Sequence, residues 1–275
     1  MPFVKKILLI SILIFPFNLL LKAQENYEIQ VYSSPTMTKG KTIFELHSNF
    51  TFDGHQEPTD AIVPTQHSLH ETLEITHGLF ENFEVGFYVF TDYTPGHGYK
   101  FVGSHIRPRY TAPQKWKLPF GLSISAELGT QKKQYSVDQW SIELRPIIDK
   151  QWNKCYLSVN PVLGVQLKSA TKQTAPSFSP NVKFSYTATS KISPGIEYYG
   201  DMGTLKHFES LSNQTHAVFA VLDLYVDPKW EFNFGPGFGL TNTAERFVFK
   251  SYIGRRINWK RDLAAVNTNS TTVNL

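Results

Sequence analysis

The chain has 275 residues, 14% of them aromatic, with 27 Lys and Arg against 23 Asp and Glu. Lys5, Lys6 and Lys22 fall in the first 24 residues, which hold no acid, so the remainder carries 24 basic against 23 acidic residues. That near balance excludes a charge-driven nucleic-acid binder, and a single cysteine, Cys155, excludes an intrachain disulfide.

In chain order, residues 1–24 read as a cleaved signal peptide. Lys5 and Lys6 form its basic start, residues 7–21 its apolar stretch, and Ala23 and Gln24 its exit. Pro16 interrupts the apolar run and polar sequence follows at once, which argues against a spanning helix. Residues 25–40 then form a polar lead-in, expected in the periplasm.

From residue 41 the chain alternates with period two, the signature of strands with two unlike faces. Turn residues divide it into about twelve predicted strands. These cover 42–52, 66–78, 82–92, 100–111, 119–131, 139–149, 154–168, 177–189, 191–200, 214–226, 230–240 and 244–258. Most are ten to fifteen residues long, against about five or six in ordinary globular sheets and about nine to eleven in tilted membrane-spanning strands. Tight links such as "GLFEN", "KQWNK", "TSK" and "VDPKW" alternate with long ones such as "GHQEPTDAIVPT" and "DMGTLKHFESLSNQ". Short periplasmic turns alternating with longer external loops are the habit of outer-membrane barrels. Trp116, Trp152, Trp230 and Trp259 fall at the short-turn rim and Trp140 at the other, as an interfacial belt requires. Residues 260–275 form a polar tail.

The expected fold is therefore all-β: a single antiparallel up-and-down transmembrane β-barrel over 41–259. Its apolar parity, including Phe44, Leu46, Ile124, Leu128, Leu163 and Phe234, faces lipid. The opposite parity lines the lumen with His47, His70, Glu74, His105, Arg107, Arg109, Glu127, Glu143, Arg145, Lys183, Glu197 and Lys250. Arg107, Arg109 and Arg145 are expected to face Glu127 and Glu143 across the wall, bracing the ladder or grading a pore by charge. His47, His70 and His105 share this face as hydrogen-bonded lumen residues or a mid-lumen metal or substrate site. No metal is assigned, since three ligands must converge on one ion.

The stretch "FNFGPGFGLTNTAERFVFKSYIGRRI" at 232–257 resembles the closing hairpin of an outer-membrane β-barrel family catalogued as phenol-degradation meta-pathway proteins, or outer-membrane transporters. "ELHSNFTFDG" at 45–54 and "LEITHGLFENFEVGF" at 73–87 are similar to it as well. The resemblance implies a transport role and an aromatic solute. The chain departs from such barrels in running on past its last strand to Leu275.

Three functions stay open. The first is a narrow non-enzymatic channel or passive transporter for a small polar or aromatic solute. The second is a plugged structural barrel that binds a partner through its external loops. The third is a membrane lipid hydrolase built on His216, the lipid-parity histidine at the outer end of its strand, although no serine stands beside it on that face. No cofactor is expected. The expected surroundings are the outer membrane of a Gram-negative bacterium, its lipid and the barrel-assembly machinery, with both termini periplasmic.

Overall fold

The computed structural model describes residues 27–58, 62–169 and 175–257. The expected signal peptide, Trp259 and the 260–275 tail lie outside the described residues. Twelve long strands appear among the described residues. They are β1 Thr42–Asp53, β2 Leu69–Phe80, β3 Phe83–Thr94, β4 Gly98–Thr111, β5 Gly121–Gln131, β6 Asp138–Trp152, β7 Cys155–Ser169, β8 Ser177–Tyr186, β9 Ile192–Asp201, β12 Thr215–Leu224, β13 Trp230–Gly239 and β14 Phe247–Ile257. Two short strands, β10 Gly203–Thr204 and β11 His207–Phe208, make a small hairpin in the loop that follows β9.

Each long strand pairs antiparallel with its neighbours in sequence, and β1 pairs with β14 from Thr42↔Ile257 to Asp53↔Phe247. The sheet is thus a closed up-and-down barrel with no free edge, the condition for placing strands in hydrocarbon. Its connections alternate between one short-turn end, as at Glu81 and Asn82, and one long-loop end.

The usual distribution of polarity is inverted. Leu46 and Ile124 point outward and are 43% and 45% exposed, whereas Glu74 and Lys250 point inward at 0% and 1%. Since successive side chains alternate across a strand, "FELH" at 44–47 sends Phe44 and Leu46 out and Glu45 and His47 in. This is the arrangement of a transmembrane barrel, with its apolar band on the outside.

The short 3₁₀ turn Gln114–Trp116 carries Trp116 into the β4–β5 connection at the short-turn end. Trp152 closes β6 and Trp230 opens β13 at that same end, while Trp140 lies near the other end of β6. Trp116, Trp140 and Trp152 are exposed, and Trp230 stacks on Phe232 beneath the Arg255 guanidinium.

The expectation for residues 25–40 requires correction. Residues 27–40 are not a lead-in outside the barrel: they run through its lumen. Eight-stranded barrels are filled by their own side chains and much larger ones enclose water. At twelve strands the interior is too wide for side chains alone, and this segment occupies the difference.

Candidate functional site

The threaded segment enters at the short-turn end, where Gly40 N–H donates to Gly78 O at 2.7 Å and Gly78 N–H donates to Lys41 O at 3.0 Å. From there it climbs to Tyr27. It has no strand partner over most of this course, so its peptide groups must be met by side chains of the wall. Ser34 N–H and Oγ–H both donate to Asp149, at 2.9 and 2.6 Å. Arg109 donates to Ser33 O at 3.1 Å and to Pro35 O at 3.0 Å, and Thr111 to Ser34 O at 2.6 Å. Tyr32 N–H donates to Asn160 Oδ1 at 2.7 Å, and Tyr32 O accepts from Ser158 Oγ at 2.6 Å. Higher up, Lys250 donates to Ile29 O at 2.9 Å and Thr72 to Tyr27 O at 2.6 Å. Met37 N–H is held by Glu84.

Alternation along "YEIQVY" at 27–32 divides the segment's contacts. Ile29 and Val31 pack on a buried inner patch made by Tyr199, Ala217, Phe219, Val221 and Val248. Tyr32 turns to the opposite wall. There the guanidinium carbons of Arg107, Arg145 and Arg109 stand 4.5, 4.9 and 5.5 Å from its ring centroid, and its hydroxyl is 3.0 Å from that of Tyr88. Desolvated arginine–aromatic contacts of this kind are worth about 1–2 kcal/mol each.

Two ionic networks support these anchors. On β2–β4, Arg107 bonds Glu74 at 2.6 Å and approaches Glu84 at 3.4 Å, while Arg109 bonds Glu84 at 2.7 Å. Across β8, β9, β12 and β14, Lys183 lies 2.8 Å from Asp223 and 3.2 Å from Glu197, and Glu197 also holds Lys250. Tyr199 donates its phenol proton to Glu197 at 2.7 Å.

All twelve residues expected on the lumen parity point inward, but their partnerships differ from expectation. Arg145 takes Glu143 at 2.7 Å. Arg107 and Arg109 turn instead to Glu74 and Glu84, and Glu127 goes to His105 at 2.5 Å. Glycines steer this choice. Gly86 stands opposite Arg107, and a Cβ there would meet the Arg107 Nη2 at 3.2 Å, so its absence lets the guanidinium cross toward Glu74. On the other side the His105 ring lies over Gly129, where a Cβ would approach within 1.6 Å. Each lumen histidine meets its own carboxylate: His47 with Glu74 at 3.5 Å, His70 with Asp92 at 3.0 Å, and His105 with Glu127. Among the described residues no three metal-ligating side chains converge.

At the long-loop end, Val63 N–H donates to Gln134 O at 2.9 Å, tying two loops together. Tyr135 and Val63 pack there on the cluster of Tyr27, Tyr88, Phe90 and Val102. Burial raises the Tyr135 phenol above its ordinary value. His216 places Nδ1 2.7 Å from the Tyr198 hydroxyl and Nε2 2.9 Å from Gln214 Oε1. Among the described residues neither of these partners is a serine.

No protein-family model and no curated protein sequence matches the chain. Its backbone is similar to solved barrels. An outer membrane channel from Pseudomonas putida F1 superposes with a TM-score of 0.55 at 11% identity, over 84% of this chain and 100% of that one. The KdgM porin superposes with a TM-score of 0.51 at 10% identity, over 78% of this chain and 98% of the porin. At such identities the likeness establishes an outer-membrane-type barrel fold.

Proposed function

We propose that this chain is an outer-membrane channel for a small solute, closed at rest by its own N-terminal segment. The carrying observation is the course of residues 27–40. They are threaded through the lumen from the short-turn end, and their peptide groups are bonded to side chains around the wall. A tethered strip can leave, because its contacts are polar bonds and one apolar patch with no covalent tie beyond Lys41.

The apolar exterior, the closed ladder and the resemblance to the phenol-degradation meta-pathway family support placement in the outer membrane of a Gram-negative bacterium. The short turns and the end of β14 then face the periplasm, while Tyr27 lies up the lumen toward the long-loop end. Inward Arg, Lys, Asp and Glu would grade passage by charge once the strip withdraws.

Planar-bilayer recording on the purified barrel tests this reading. The full chain should show brief, rare conducting events, and a chain lacking residues 27–36 should conduct persistently. A truncated barrel that is folded yet silent removes the channel.

A further inference from the structure

Charge is divided unequally between the two ends of the barrel. At the short-turn end Lys115, Lys117, Lys150, Lys154, Lys191 and Arg255 are all exposed. The acids of this end, among the described residues, do not balance them. Glu84 and Asp149 are buried in the lumen, Glu231 pairs with Arg256, and Asp227 accepts the Lys229 N–H at 2.7 Å. That leaves Glu81 in the β2–β3 turn, against a further pair of cations, Lys39 and Lys41, where the strip enters. The long-loop end is different: Lys132, Lys133 and Arg246 are interspersed with Asp53, Glu57 and Glu209.

The cations of the short-turn rim are set among outward aromatic rings. Trp116, 54% exposed, stands between Lys115 and Lys117 in the 3₁₀ turn. The Arg255 guanidinium carbon lies 4.5 Å from the Trp230 ring centroid. Lys154 Nζ lies 5.9 Å from that of Tyr186, in the same hairpin as exposed Trp152. Lys150 and Arg255 also share the lipid-facing parity, paired with Leu157 and Phe44. From such a position the aliphatic stem lies along the apolar wall and the charged head reaches the headgroup layer.

We propose that this rim binds anionic phospholipid headgroups of the phosphatidylglycerol class, seated between the aromatic rings and the cations. The inference goes beyond the channel reading and needs only a barrel embedded in lipid. Aromatic rings fix the depth of the rim at the headgroup boundary, and lysines and arginines there attract an anionic surface. A zwitterionic lipid brings an ammonium beside its phosphate, which these cations repel. An anionic lipid brings the phosphate without it, so the rim distinguishes the two by charge.

The test uses the full chain carrying Trp140→Phe, which leaves Trp116, Trp152 and Trp230 to report on this rim. It is folded into phosphatidylcholine vesicles that contain a minor share of acyl-brominated lipid. Quenching by brominated phosphatidylglycerol should exceed that by brominated phosphatidylcholine as if the anionic lipid were enriched about fivefold, the equivalent of about 1 kcal/mol. Salt at about 1 M, where screening acts within about 3 Å, should bring the ratio close to unity. Lys115→Gln, Lys117→Gln, Lys150→Gln and Arg255→Gln combined should do the same while heat-modifiable gel mobility shows an intact barrel. Lys132→Gln with Arg246→Gln, at the opposite end, should leave the preference as it was. The salt comparison on the parent decides the matter should the fourfold variant fail to fold. Equal quenching by the two lipids overturns the proposal. So does a preference that high salt or the folded fourfold variant leaves intact, or one lost equally in the opposite-end variant. Rings quenched by neither lipid remove the membrane barrel itself, whereas a silent barrel that keeps the lipid preference removes only the channel.

Discussion

The guanidinium carbon of Arg107 stands 4.5 Å from the centre of the Tyr32 ring, joining a wall strand to the strip it encloses. Arg145 and Arg109 complete the ring's surroundings at 4.9 and 5.5 Å. Three wall arginines thus surround one residue of the strip.

Replacing that ring should loosen the strip without touching the ladder. Tyr32→Ala removes three contacts worth about 3–6 kcal/mol in total, which raises a small open fraction by about a hundredfold or more. Open probability in planar bilayers measures this. A variant that stays as closed as the parent would show that Tyr32 is no latch.

The opposite side of the strip can be unseated by charge. Ile29→Asp puts a carboxylate against Phe219, Val221 and Val248, where burial without a partner costs several kcal/mol. The same conducting phenotype should follow from Phe219→Asp, although that residue belongs to the wall. If only one of the two variants conducts, the apolar contact is not what seats the strip.

The inner ion pairs should govern the stability of the cylinder. Glu74→Ala leaves Arg107 buried without its 2.6 Å partner and should cost about 3–5 kcal/mol. Glu74→Ala combined with Arg107→Met should recover most of that loss. Urea unfolding of the barrel in liposomes provides the comparison, and strictly additive losses would dissolve the coupling.

Glycine at position 129 should be equally demanding. Gly129→Val would drive its side chain into the His105 ring and separate it from Glu127. Overpacking of this sort costs about 1–3 kcal/mol. The compact form should be lost from gels at a lower temperature than for the parent.

The barrel was legible in the sequence because its information is local. Phe44, Glu45, Leu46 and His47 declare their faces by alternation alone, and long runs between short and long links declare spanning strands. The enclosed strip was harder to find, since its partners are remote: Tyr32 bonds Asn160 across 128 positions. One signal did exist. "AVFAVL" at 217–222 is apolar on both parities, which a strand facing water on one side does not sustain. Read with the alternating Ile29 and Val31, it marks an inner face covered by protein. The partners of Arg107 were hidden for a different reason. They follow from room left by Gly86 on a neighbouring strand, and alternation along one strand carries no such lateral information.

The seam between β1 and β14 has a consequence for biogenesis. Thr42 pairs with Ile257, so the first strand to emerge during synthesis waits for the last. Until then the molecule is a ribbon with two raw edges, each ready to join a foreign strand. Pairing over so long a loop is intrinsically slow. The residues preceding β1 are either shut inside at the moment of closure or admitted afterwards through the short-turn end.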